Sequence, residues 1–111
     1  MDITVKSLDN CELIFVTGRV DSYTAPNLSE ALTSITNKSK YKIVLDLCDV
    51  NYVSSAGLRV LIDLQKVCKK DNRGEVLLVN IPQRVYETLE LAGFVPLFKF
   101  YKNVDSAIAD F

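Results

Sequence analysis

The sequence predicts an α/β fold in which a mixed, mostly parallel sheet begins with a β-hairpin and carries about four helices. Two short apolar runs, residues 43–47 and 76–79, suit central strands covered on both faces. Strand-like and helix-like segments alternate through the rest of the chain, as they do in parallel sheets. With 111 residues, 49% of them hydrophobic, the chain is expected to fold as a single domain over residues 1–111.

The N-terminal part of the chain predicts the hairpin and the first helix. Residues 3–8 alternate between apolar and polar side chains, and an apolar segment, residues 12–19, follows the turn signal Asp9-Asn10. Thr24 is predicted to cap the first helix with its hydroxyl, and Pro26 suits a first turn, where no N–H donor is needed. The helix then presents one apolar face, formed by Leu28, Ala31, Leu32 and Ile35.

Three more helices are predicted in the second half of the chain. Pro82 opens one of them and Gly93 closes it, residues 97–101 form the last strand, and residues 104–111 form a final short helix. The longest helix is predicted over residues 58–70. Its buried face is expected to consist of Val60, Leu61, Leu64, Val67 and Cys68.

Composition argues against several classes of function. Thirteen basic residues balance fourteen acidic ones, so neither nucleic acid nor an anionic membrane is expected as a partner. The chain has no histidine, which disfavours hydrolytic and zinc chemistry because histidine is the usual general base and metal ligand. We therefore expect no metal site, no cofactor and no catalytic residue.

The same sequence predicts a cytoplasmic protein. Met1 to Leu8 lacks the basic and apolar pattern of a signal peptide, and no stretch approaches the length of a membrane span. Cys11, Cys48 and Cys68 form an odd set without a close pair, which is typical of reduced thiols. Cys48 lies near a serine-containing loop but is expected to be buried filler rather than a redox group.

Two predicted strand-to-helix junctions stand out, Gly18 to Ala25 and Asp46 to Leu58. The second contains adjacent serines, Ser54 and Ser55, just before a long helix. The simplest interpretation is a helix N-cap, but a cap needs only one serine. It also leaves Ala56-Gly57 unexplained, since glycine weakens a first helical turn. Small residues there would keep the backbone accessible to an approaching group.

The alternative interpretation is a regulatory phosphoserine. Free backbone N–H groups and the positive end of the helix dipole stabilise an anion at a helix N-terminus. A phosphate adds nearly two negative charges and considerable bulk. The fold could accept that change while a partner surface around it would be disrupted.

These junctions resemble those of the STAS family, in particular the bacterial anti-sigma factor antagonists. The Ser54-Ser55-Ala56-Gly57-Leu58 motif is similar to the family's motif between its third strand and second helix. Gly18-x-x-Asp21, followed by Thr24-Ala25, is similar to the family's segment at the first helix. The resemblance covers essentially the whole chain.

The resemblance implies the site residues. It places the phosphorylated serine at Ser55, with Ser54 as the alternative because many relatives have an aspartate there. It also implies that Asp21 helps form the partner surface, although a turn-stabilising role is equally open. Apart from the resemblance, Arg59 is expected to be exposed on the long helix near the serine loop, which makes it a candidate contact for an acidic or nucleotide-bound partner surface. The full predicted partner surface consists of Asp21, Ser22, Thr24, Ser54, Ser55, Ala56, Gly57, Leu58 and Arg59.

The resemblance also implies a mechanism. The unphosphorylated antagonist binds an anti-sigma factor that is itself a serine kinase, which frees a sigma factor. Phosphorylation by that kinase releases the antagonist, and a metal-dependent serine phosphatase restores it.

The sequence allows three rival interpretations to be compared with this one. Residues 53–57 resemble a nucleophile elbow, but the first glycine is missing and no histidine could activate the serine, so only a Ser–Lys pair would remain. Neither glycine-rich nucleotide-binding motif is present, but weak nucleotide binding stays open because some proteins of the STAS family bind nucleotides. The third alternative stays open: a non-catalytic STAS interaction module in a signalling scaffold or a lipid transport complex.

Overall fold

The sheet of this protein has five strands in the spatial order β1-β2-β3-β4-β5, as described by a computed structural model of residues 1–111. The strands and helices are β1 (Asp2–Ser7), β2 (Glu12–Val20), α1 (Ala25–Thr36), β3 (Lys42–Val53), α2 (Ser55–Lys69), β4 (Glu75–Val79), α3 (Gln83–Leu91), β5 (Lys99–Tyr101) and α4 (Val104–Ala109). β1 pairs antiparallel with β2, and every other neighbouring pair is parallel. The predicted fold class is confirmed.

Two apolar clusters lie on opposite faces of the sheet. Alternate residues of β3 and β4 point to opposite sides, so Ile43 and Leu45 join one cluster while Val44 joins the other. The larger cluster packs the sheet against α1, α2 and α3, and the smaller one lies under α4. Both strands are therefore covered on both faces, as their continuous apolar runs predicted.

β3 continues beyond the end of β4 and extends the chain to the carboxyl edge of the sheet, where the parallel strands end. Its pairing with β4 ends at Asp46, but its pairing with β2 continues to Val53. Two register shifts in that pairing mark β-bulges, which bend a strand and alter its direction. The buried Asp46 carboxylate holds the first bulge by accepting hydrogen bonds from Cys48 N (3.0 Å) and Asn80 Nδ2 (3.2 Å).

Some sequence predictions differ from the structure. The long helix α2 begins at Ser55, three residues before its predicted start. Val67 was expected to be buried, but 42% of it is exposed because it borders the shallow groove between α1 and α2 rather than facing the sheet. β5 begins at Lys99 because a short 3-10 turn precedes it and brings Phe98, not Leu97, into the core.

No helix of the structure combines the length and the apolar character needed to cross a bilayer.

Candidate functional site

The two junctions predicted to carry function meet at the carboxyl edge of the sheet. Val20, the last residue of β2, pairs with Val53, the last residue of β3. Ser54 N then donates a hydrogen bond of 2.8 Å to Val20 O. Asp21 and the two serines therefore leave neighbouring parallel strands at the same edge, where ligand and partner sites gather in α/β sheets.

The two serines do different things. Ser54 has extended backbone angles, and its Oγ accepts a hydrogen bond of 3.3 Å from Gly57 N, so Ser54 is the N-cap of α2. Ser55 is the first helical residue, is exposed, and its hydroxyl makes no hydrogen bond within the protein. The capping interpretation therefore applies to Ser54 and leaves the Ser55 hydroxyl free.

The different roles of Ser54 and Ser55 predict different stabilities for their alanine variants. Ser54→Ala should lower the free energy of unfolding by about 1 kcal/mol, because it removes the N-cap acceptor. Ser55→Ala should change that free energy by less than about 0.5 kcal/mol, as is usual for exposed positions without partners. Urea denaturation of both variants measures the difference. Equal losses would contradict the assignment of the cap to Ser54.

Gly57 and Leu58 lie beneath the surface, which corrects their prediction as partner contacts. Leu58 is 4% exposed and belongs to the core. A Cβ atom on Gly57 would lie 2.6 Å from Val20 Cγ1 and 3.1 Å from Val20 O. The glycine is therefore required by the chain's own close packing of α2 against β2, and not by an approaching partner. Ala56 is half-buried.

Asp21 organises the loop of the first junction. Its Oδ1 accepts hydrogen bonds from Tyr23 N (3.0 Å) and Thr24 N (3.1 Å). The hydrogen bond from the Thr24 backbone is the main cause that lowers the pKa of the Asp21 carboxyl. Asp21 thus stabilises the turn, which is one of the two roles predicted for it. Its carboxylate is negatively charged at neutral pH.

Thr24 occupies the N-cap position of α1, but its hydroxyl does not cap the helix. Thr24 Oγ1 accepts a hydrogen bond from Asp21 N (2.9 Å) and donates to Arg19 O (2.8 Å) or Asp21 Oδ1 (3.3 Å), so all of its partners lie in the preceding loop. The predicted capping bond is therefore wrong, because the loop competes for the same hydroxyl. Thr24 is half-buried, and Ser22 beside it is exposed.

Arginine and tyrosine side chains complete the surface, and only one of them was predicted. Arg59 is exposed as expected and lies 3.4 Å from Asp63, one turn further along α2. Sequence reasoning missed Arg19, whose Nε lies 3.6 Å from Asp21 Oδ2 and whose guanidinium lies 4.2 Å from the centre of the Tyr52 ring. It also missed Tyr23, which is 86% exposed. The sequence feature that could have revealed them is their position, since these large side chains lie within the two junction segments.

Cys48 is exposed, so its prediction as buried filler is wrong; the bulge of β3 turns it outward. Partial desolvation raises the pKa of its thiol to about 11, and the Asp46 and Asp49 carboxylates act in the same direction. The thiol is consequently protonated at neutral pH and a poor nucleophile. No group of three or more acidic or cysteine side chains is placed to hold a metal ion. The site offers a free hydroxyl at a helix N-terminus and a fixed carboxylate in the neighbouring loop, at the same edge of the sheet.

Comparison with known proteins identifies the class. The STAS domain model matches residues 2–107. A candidate anti-sigma factor antagonist, BtrV of Bordetella bronchiseptica, is 32% identical over 111 residues, which cover 100% of this chain and 95% of BtrV. The anti-sigma-B factor antagonist of Listeria monocytogenes is 31% identical over 106 residues, which cover 95% of this chain and 91% of that one.

A solved structure agrees with these relatives. The crystal structure of an anti-sigma factor antagonist from Mycobacterium paratuberculosis aligns with a TM-score of 0.87 at 25% identity, over 98% of this chain and 92% of that one. The chain therefore belongs to the STAS domain family. Within that family it is similar to the anti-sigma factor antagonists, which confirms the class predicted from the two junction motifs.

Proposed function

We propose that this protein is an anti-sigma factor antagonist controlled by phosphorylation of Ser55. In its unmodified form it binds an anti-sigma factor that is a serine kinase, and this binding releases a sigma factor. Phosphorylation of Ser55 by the kinase abolishes binding, and a serine phosphatase reverses the modification. The observation that carries this proposal is the exposed Ser55 hydroxyl, which no hydrogen bond of the fold uses while Ser54 caps the helix.

The fold can accept a phosphate at Ser55 without losing stability. Ser55 begins a helix of 15 residues whose first turn contains no acidic side chain. The positive end of the helix dipole and the free N–H groups of the first turn favour an anion there. The modified protein is therefore expected to keep its structure.

The surface around Ser55 changes sharply when the phosphate is added. The Asp21 carboxylate is already ionised and is fixed by two backbone N–H groups. A phosphate adds roughly 1.5 to 2 further negative charges at neutral pH. A partner that packs closely against the unmodified surface would have to desolvate this charge, so it would bind far more weakly.

The proposed partner surface differs from the predicted one in two residues. Gly57 and Leu58 support it from below, and the residues that face outward or lie half-buried are Asp21, Ser22, Thr24, Ser54, Ser55, Ala56 and Arg59. We place the protein in the cytoplasm as a substrate of its kinase, with no catalytic residue, cofactor, nucleic acid or membrane among its requirements. The protonated Cys48 thiol agrees with a non-catalytic role.

The intact mass of the purified protein tests this function. After incubation with ATP and a lysate of its native cells, the wild-type protein should gain the mass of one phosphate, and Ser55→Ala should gain none. Ser54→Ala serves as the matched control and should still be modified. A failure to gain phosphate under both stress and non-stress conditions would instead favour a non-catalytic STAS interaction module in a scaffold or a lipid transport complex.

A further inference from the structure

Two exposed aromatic side chains flank the candidate site. The large hydrophobic residues with substantial exposure are Val5, Tyr23, Tyr52, Val67, Leu91 and Leu97. Of these, only Tyr23 and Tyr52 lie in the junctions that contain Asp21 and Ser55. Tyr23 is 86% exposed, against 39% for Tyr52. A nearly fully exposed aromatic ring beside a partner surface is the kind of side chain that dominates binding energy at interfaces.

The backbone of Tyr23 is held in place although its ring is free. Tyr23 N donates to Asp21 Oδ1 at 3.0 Å, and the next residue, Thr24, closes the loop through its hydroxyl bonds to Asp21 N and Arg19 O. Fixing the backbone before binding reduces the entropy that a complex must lose. The Asp21 carboxylate thus positions the tyrosine as well as contributing charge.

The side chains near Tyr23 in the site contact one another, and the Tyr23 ring takes no part in these contacts. Arg19 lies over the Tyr52 ring and also pairs with Asp21. The Tyr23 ring takes part in neither the aromatic pair nor the cation–π contacts of the structure. Its phenol hydroxyl likewise makes no hydrogen bond within the protein. Most of the ring is therefore available to a partner.

We infer that Tyr23 is the aromatic anchor of the complex with the anti-sigma factor kinase, where its ring fills an apolar pocket. This inference rests on the proposed function, because it assigns the kinase as the occupant. A kinase that phosphorylates Ser55 must approach the carboxyl edge of β2 and β3, and Tyr23 lies on the loop that leaves β2 at this edge. Because Tyr23 lies at the same edge as the proposed phosphorylation site, the kinase is favoured over other proteins that could contact an exposed tyrosine.

The chain offers a matched control at the opposite end of the molecule. Leu91 is 89% exposed, nearly the same as Tyr23. It lies at the end of α3, which follows β4 and precedes the parallel β5 and so runs back to the amino edge of the sheet. Leu91→Ala therefore removes an equally exposed apolar side chain far from Ser55.

The test measures binding of the variants to the serine kinase by titration calorimetry. The kinase is isolated by its ability to phosphorylate Ser55, and ADP replaces ATP in the titration so that no phosphate is transferred. Tyr23→Ala should weaken binding by at least about 10-fold, as expected for an interface hot spot. Tyr23→Phe should stay within about 3-fold of wild type, because it keeps the ring. Leu91→Ala should bind like wild type, and the thermal midpoints of all the variants should match because these side chains are exposed.

The outcomes separate this inference from the proposed function. If wild type binds and is phosphorylated but Tyr23→Ala binds equally well, the anchor is overturned and the function stands. If Tyr23→Phe is as weak as Tyr23→Ala, the hydroxyl and not the ring carries the contact, and the apolar pocket is overturned. If no activity phosphorylates Ser55, the function and the anchor fall together.

Discussion

Ser55→Asp should weaken binding to the anti-sigma factor kinase by about 100-fold, since a charge forced against an interface costs several kcal/mol. Ser55→Ala should bind constitutively, because it removes the proposed site of modification and leaves the exposed surface otherwise unchanged. Aspartate carries one negative charge where phosphate carries nearly two, so the phosphorylated protein should bind still more weakly. Titration calorimetry with the purified kinase measures all three affinities.

Ser54→Asp is the sharpest control for this prediction. Aspartate is a good N-cap residue, so at position 54 its carboxylate should accept the Gly57 N–H that Ser54 accepts now. The same charge is then held by the first turn of the helix, one residue before Ser55, and binding should fall far less than it does in Ser55→Asp. Equal affinities of Ser55→Ala and Ser55→Asp would refute the switch. Equal losses in Ser54→Asp and Ser55→Asp would assign the effect to charge in general.

Gly57→Ala should destabilise the protein by about 1 to 3 kcal/mol, the usual cost of overpacking a close contact. The sign of this change in stability is informative, because alanine in place of glycine within a helix ordinarily stabilises a protein by about 0.5 to 1 kcal/mol. Here the new Cβ would lie 2.6 Å from Val20 Cγ1 and 3.0 Å from Val53 Cγ1. Either α2 must move away from the sheet or these valines must shift. Urea denaturation measures the change.

A double-mutant cycle identifies the cause of that loss. In a Val20→Ala background the closest contact is absent, so Gly57→Ala should cost less than it does in wild type, although the contact with Val20 O at 3.1 Å remains. Strict additivity of the two substitutions would argue against crowding by Val20. A stabilised Gly57→Ala protein would show that the helix has room to adjust.

The sequence predicts most of the fold because its signals are local or strongly periodic. The apolar runs at residues 43–47 and 76–79 need no knowledge of their neighbours to indicate buried strands. The bulges of β3 were not predicted, since a bulge is a mismatch with the register of β2. The crowding at Gly57 likewise comes from Val20 on another strand.

The candidate site was predicted in its location but not in its internal division of roles. Both Ser54 and Ser55 are good capping residues, and only the extended backbone of Ser54 determines that it is the cap. The Thr24 hydroxyl had two possible sets of partners, and the Asp21 loop decides between them. The exposure of Tyr23 depends on how that loop folds, so residue type alone did not reveal it.

Under the proposed function, the free Ser55 hydroxyl bears on the speed of signalling. Because no bond of the fold involves it, attaching or removing a phosphate breaks nothing that must later re-form. In the proposed switch we expect the backbone to keep its conformation, so that the partner detects the phosphate by direct contact and not through a change of shape. We therefore expect the delay between stimulus and response to be set by encounters with the kinase and phosphatase and by dissociation of the complex, with no slow conformational relaxation added.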